Sequence, residues 1–108
     1  METSRWVNLR NADHYGFEVQ KDQCIEECAE LIQALNKYSR ASGKGQATDM
    51  SVEEALKNVI EEVADVEVML EQIIYLLNIG RIQVEIMKMQ KILRTETKIE
   101  KEKEKLSE

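Results

Sequence analysis

Apolar residues recur at intervals of three and four over two long stretches of the chain, the spacing of one face of an α-helix. From Phe17 to about Arg40 the stripe is Cys24, Ile25, Cys28, Leu31, Ile32, Leu35 and Tyr38, which predicts a helix over 17–40. After Val52 it is Leu56, Val59, Val63, Val66, Leu70, Ile73 and Leu77, which predicts a second helix over about 52–78. Between them, residues 41–50 hold Ser42, Gly43, Gly45 and Thr48 without an apolar period and are expected to form a mobile connection. Ser51 followed three residues later by Glu54 has the spacing of a capping box, in which each side chain satisfies the other's free backbone N–H. Asn78-Ile79-Gly80 is a helix stop with Gly80 expected in the left-handed cap, and a third helix is expected from Arg81 with the stripe Ile82, Ile86, Met89 and Leu93. Residues 1–16, anchored by Trp6, Val7 and Leu9, predict a short helix or ordered arm ending at His14, Tyr15 and Gly16.

Composition agrees with an all-α helical bundle: no proline, four glycines and 33% charged residues in helical periods. A chain of 108 residues suits one domain, expected over 1–97. Over 98–108 four lysines balance four glutamates, with Ile99 and Leu106 as the apolar residues, and a solvated helical tail is expected. A net charge of −6 removes any electrostatic grip on a nucleic-acid polymer or an anionic membrane. The longest uncharged apolar run, Ile73–Ile79, is far short of the roughly 20 residues that cross a bilayer. No basic-then-apolar leader pattern opens the chain, so a soluble, cytoplasmic protein is expected. Cys24 and Cys28 are expected as small buried thiols in a reducing compartment, since no second cysteine pair or nearby histidine completes a site. A further aliphatic row on the second long helix, Ala64, Val68, Tyr75 and Ile79, is more apolar surface than one small subunit covers. A homodimer or homotetramer that completes the bundle is therefore expected.

Several carboxylates sit where a solvated face would not put them. At about 100° per residue, Glu62 falls roughly 50° from the centre of its helix's apolar stripe, between Val66 and Met69, and Asp65 lies about 60° further round. A spacing of three makes them neighbours. Glu27 and Glu30 repeat the arrangement on the preceding helix. Several facing carboxylates cannot all stay ionised in an apolar setting without compensating cations, and a divalent metal supplies that compensation economically. Oxygen-only ligands suit Mg²⁺ or Mn²⁺ and leave coordination positions for substrate phosphates, whereas zinc would want Cys or His. A ferritin-like carboxylate site would need Glu-x-x-His on two helices, yet the one histidine, His14, follows Asn11 at that spacing. No glycine-rich phosphate loop and no Ser/His/Asp set is present.

The pattern Glu26-Glu27-x-x-Glu30 on one helix and Glu61-Glu62-x-x-Asp65 on the next resembles the MazG-like, all-α nucleoside triphosphate pyrophosphohydrolase superfamily. The text that carries it runs from Gln23 to Leu35 and from Asn58 to Ile73, with a stretch between the motifs, Leu31 to Glu61, somewhat longer than typical. The resemblance implies Mg²⁺ held by Glu27, Glu30, Glu62 and Asp65, and hydrolysis of a nucleoside triphosphate to the monophosphate and pyrophosphate. It also implies that Glu26 or Glu61 positions or deprotonates the attacking water, Glu26 being preferred. Lys88, Lys91 and Arg94 on the third long helix are candidate phosphate contacts. Phosphoribosyl-ATP pyrophosphohydrolase is an alternative activity in the same superfamily, and a noncatalytic helical interaction or regulatory protein is the alternative from another class.

Overall fold

The computed structural model describes residues 2–107, and every regular element among them is an α-helix: α1 (Glu2–Tyr15), α2 (Phe17–Ala41), α3 (Val52–Leu76) and α4 (Arg81–Ser107). The chain divides into two compact units, Met1–Leu77 and Asn78–Glu108. No helix among the described residues is long and apolar enough to cross a membrane.

Each helix boundary has a local cause. Gly16 separates α1 from α2 because its backbone, at φ 83° and ψ 169°, takes a conformation that side-chain-bearing residues rarely adopt. Helix α2 ends in a Schellman motif: Gly43 N–H donates to Arg40 C=O, Lys44 N–H donates to Ser39 C=O, and Gly43 is left-handed at φ 88°. The 41–50 connection is thus anchored at its first turn by backbone bonding. Ser51 caps α3 as expected, its Oγ accepting from Glu54 N–H at 3.1 Å. Helix α3 stops at the Asn-Ile-Gly sequence, but Asn78 at φ 55° takes the left-handed position in place of Gly80. Gly80 instead opens α4: its C=O accepts from Gln83 N–H at 2.9 Å and its N–H donates to Gln83 Oε1 at 2.8 Å.

In the first unit, facing pairs on α2 and α3 run in opposite senses. Gln20 meets Gln72 near the start of α2, Glu27 lies by Asp65, and Glu30 by Glu62. The two helices therefore form an antiparallel hairpin, and α1 packs on α3. Buried Gln72 ties all three together: its Oε1 accepts from Gln20 Nε2 at 2.8 Å, and its Nε2 donates to Asn8 Oδ1 at 2.7 Å. Asn8 Nδ2 in turn donates to Glu71 Oε1 at 2.9 Å and Val68 C=O at 3.1 Å, and Tyr75 donates its hydroxyl to Asp13 Oδ2 at 2.7 Å. The apolar core is small: Leu9, Ala12, Ala34, Ala55 and Met69 are buried, while Ile25, Ile32, Val63 and Leu70 are exposed.

In the second unit, α4 is continuous through the alternating Lys/Glu segment, where Lys103 pairs with Glu100 at 3.8 Å across one turn. The segment expected as a charged helical tail is thus an exposed helical end among the described residues.

Candidate functional site

The acidic motifs lie about midway along α2 and α3. The antiparallel register, anchored at one end by the Gln20–Gln72 bond, sets the two Glu-x-x-acid pairs against each other. Glu27, Glu30 and Glu62 each bring a carboxylate oxygen to within 4.8 Å of the others. All three side chains are half-buried, while Asp65 is exposed and stands outside this triad, close enough to act electrostatically on both Glu27 and Glu62. Glu26 and Glu61 are exposed, and Glu61 acts electrostatically on Glu62.

Two oxygens in the cluster, Glu27 Oε2 and Glu62 Oε2, are shielded from solvent and have no hydrogen-bond partner. Buried acceptors in that condition are costly, and for carboxylates the cost is larger. Burial pushes the Glu27 carboxyl above the usual range and the adjoining Asp65 carboxyl adds to the rise, against the opposing pull of Gln23, whose Nε2 donates to Glu27 Oε1 at 2.8 Å. Burial also pushes Glu62 up, with repulsion from Glu30 and Asp65 behind it. No lysine or arginine among the described residues forms an ion pair with Glu27, Glu30, Glu62 or Asp65. The residues present therefore fit a hard divalent cation: an all-oxygen donor set, uncompensated negative charge and two acceptors without donors.

Beside the cluster lies an open concavity of about 300 Å³, lined by Glu30, Gln33, Ala34, Lys37, Asn58 and Glu62. Gln23, Gln33, Lys37 and Asn58 are site residues that motif reading passed over. Helical spacing carries the signal for them: Gln23 and Asn58 stand one turn before Glu27 and Glu62, and Gln33 and Lys37 one and two turns after Glu30. Lys88, Lys91 and Arg94 are exposed on α4 in the second unit, where Lys88 pairs with Glu85 at 3.6 Å. Cys24 and Cys28 are free and only half-buried, and burial together with the Cys28 thiol pushes Cys24 up in pKa, the setting of an inert thiol.

In comparisons with known proteins, no family model, no curated protein and no solved structure matches the chain.

Proposed function

We propose that the protein is a Mg²⁺-dependent nucleoside triphosphate pyrophosphohydrolase that releases the nucleoside monophosphate and pyrophosphate. The observation that carries this reading is the pair of buried oxygens without hydrogen-bond partners, Glu27 Oε2 and Glu62 Oε2, in a cluster with Glu30 to which no lysine or arginine among the described residues is ion-paired. Glu27, Glu30 and Glu62 would hold the metal, with Asp65 at the edge of the set. When bound, Mg²⁺ or Mn²⁺ offsets charge developing on phosphate oxygens and lowers the pKa of water.

The chain's own groups supply the rest. Gln23 holds one oxygen of Glu27 by donating to Oε1, which leaves the shielded Oε2 without a hydrogen-bond partner. Glu26 or Glu61, exposed beside the ligand positions, accepts the proton of the attacking water. The concavity flanked by Gln33, Lys37 and Asn58 gives amide and ammonium contacts to a polyphosphate or its nucleoside. Three carboxylates without cations repel a polyanion, so turnover needs the metal and stops in chelator. In this reading the protein works as a homodimer or homotetramer in the cytoplasm.

The test is to incubate the purified protein with a panel of NTPs, dNTPs and phosphoribosyl-ATP, with Mg²⁺ and with chelator, and to separate the products. Mg²⁺-dependent monophosphate plus pyrophosphate supports the reading, and a preference for phosphoribosyl-ATP selects that alternative. A folded protein that turns over none of them and gains no thermal stability from Mg²⁺ overturns it in favour of a noncatalytic helical interaction protein.

A further inference from the structure

Cys24 and Cys28 stand one turn apart on α2, and both line an open groove of about 530 Å³ walled by Ile25, Ile32, Ile73 and Leu77. The apolar stripe predicts core thiols, but the structure leaves both half-buried and free on the groove wall. The two side chains meet, the Cys28 thiol being hydrogen-bonded to Cys24. Lys21 is the charged residue on the same wall, and its amine turns to Glu18 and Asp22 at 3.2 and 3.4 Å. No group of three or more candidate metal ligands among the described residues includes either cysteine. Helix geometry bars a disulfide between them. Residues four apart on a helix hold their Cβ atoms roughly 5–6 Å apart, whereas a disulfide needs about 3.5–4.5 Å. Because α2 is continuous from Phe17 to Ala41, closing that bond would break a turn. A bridge one atom longer fits without it: two metal–sulfur bonds of about 2.3 Å let the sulfurs stand up to roughly 4.6 Å apart.

We infer that Cys24 and Cys28 form a two-thiolate site, within a single chain, for one soft cation of the Cu(I) class. Thiolates select soft ions, and a groove walled by aliphatic side chains offers a hard ion such as Mg²⁺ no oxygen ligands. Zinc takes four ligands and finds two here, whereas a monovalent soft ion is satisfied by two. The binding step is free of redox chemistry. Two S–H bonds break, two Cu–S bonds form, both protons pass to the buffer and no electron moves. The bound form carries one negative charge, and Lys21, three residues before Cys24 on the same groove, is the cation placed to offset it. Burial and the neighbouring thiol push Cys24 up, which makes it a poor nucleophile toward alkylating agents and oxidants. A coordinating metal displaces thiol protons outright, so a pair inert to those reagents is still a ligand pair. The site is all sulfur where the acid cluster is all oxygen, so the two take cations of opposite hardness and do not compete. It stands whether or not the proposed hydrolase activity does.

Anaerobic titration of the reduced full chain with Cu(I), in competition with a colorimetric Cu(I) chelator, reads both affinity and stoichiometry. One Cu(I) per chain is expected, with a thiolate-to-metal charge-transfer band in the ultraviolet. Cys24→Ser and Cys28→Ser should each weaken binding on the order of a hundredfold or more, because the second thiolate of a tethered pair acts at high effective concentration. Excess Mg²⁺ and the variant Glu62→Gln should leave the affinity unchanged. A wild type that takes no Cu(I) from the chelator overturns the inference, as does wild-type affinity in both serine variants, which would place the ion on methionines or carboxylates. One Cu(I) per two chains also overturns it, since the thiols would then bridge chains. If a serine variant loses its far-ultraviolet helical signal, alkylation of the wild type decides: one equivalent of Cu(I) should protect both thiols from iodoacetamide, and undiminished labelling refutes the site. Oxidised glutathione should produce no intrachain disulfide, and its formation would refute the geometric argument. Absence of hydrolase activity refutes the proposed function and leaves the Cu(I) result standing.

Discussion

Replacing Gln72 by leucine tests what holds the acidic motifs in register. Gln72 is 3% exposed and Gln20 8%, so on loss of the shared bond Gln20 keeps a buried amide with no donor–acceptor partner. An unsatisfied buried polar group costs about 1–3 kcal/mol. Asn8 also loses its donor, but it is half-buried and water can replace the bond, so the total should be about 2–3 kcal/mol. For a unit of this size each kcal/mol moves the melting temperature by about 4–8 °C, which places the expected drop at roughly 8–24 °C. Leucine nearly preserves volume, so Gln20→Leu combined with Gln72→Leu should recover most of the loss, because both partners are then apolar. Thermal and urea unfolding followed by circular dichroism on the wild type, both single variants and the double variant gives the coupling directly. Singles costing less than about 0.5 kcal/mol, or a double equal to their sum, would refute the claim that this bond fixes the pairing of α2 and α3.

Other expectations follow from the same geometry. Mg²⁺ at a hundredfold excess over its Kd should stabilise the wild type by about 2.7 kcal/mol, and chelator should remove that gain. Glu62→Gln should melt higher than wild type in chelator, show no Mg²⁺ shift and lack turnover; an undiminished shift would sink the assignment of Glu62 as a ligand. Tyr75 is raised by its hydrogen bond to Asp13, so its contribution is complete below the ordinary tyrosine range near pH 10 and lost as pH climbs through the raised value. Urea midpoints of wild type and Tyr75→Phe should accordingly differ at pH 8 and converge at strongly alkaline pH, and a gap that widens instead contradicts the pairing. Ser51→Ala should lower stability by about 1 kcal/mol through loss of the cap on Glu54 N–H, read from the same urea titrations.

Much of this molecule was legible in the residues because its signals are local. The stripe over Cys24 to Tyr38, the Ser51 cap and the stop at Asn78 each act within a few residues, and the helices fall where those signals put them. Where two local signals competed, as at Asn78 and Gly80, the outcome depended on what followed: Gln83 bonds back to Gly80 and makes it the start of α4, which leaves Asn78 to close α3. The wheel position of Glu62 near the apolar stripe anticipated its shielded Oε2. It could not anticipate that Glu62 meets Glu30 while Asp65 meets Glu27, because that pairing is long-range and depends on the register set by Gln20 and Gln72. Lys37 and Asn58 stand one or two turns from the acids, a spacing legible in each helix, but that they line one concavity depends on the same long-range register.

The hairpin brings together groups that resist being together. Between α2 and α3 lie alanines, two glutamines and facing carboxylates, a set with little apolar area to bury and with Glu27 and Glu62 pushed toward the protonated form. What offsets that repulsion must come from outside the helix–helix seam. The glutamine bond fixes position and contributes only about 1 kcal/mol net. A cation in the cluster would remove the repulsion at its source, and burial of the exposed Ile25, Ile32, Leu56 and Leu70 in the proposed homo-oligomer would add hydrophobic stabilisation that the single chain lacks. The two would act on one hairpin through its register: self-association at fixed register presents the carboxylates preassembled, and metal binding holds that register. Mg²⁺ should consequently tighten self-association of the wild type and leave that of Glu62→Gln unchanged, by linkage. Sedimentation in Mg²⁺ and in chelator measures this, and equal self-association in both would show that the two act independently.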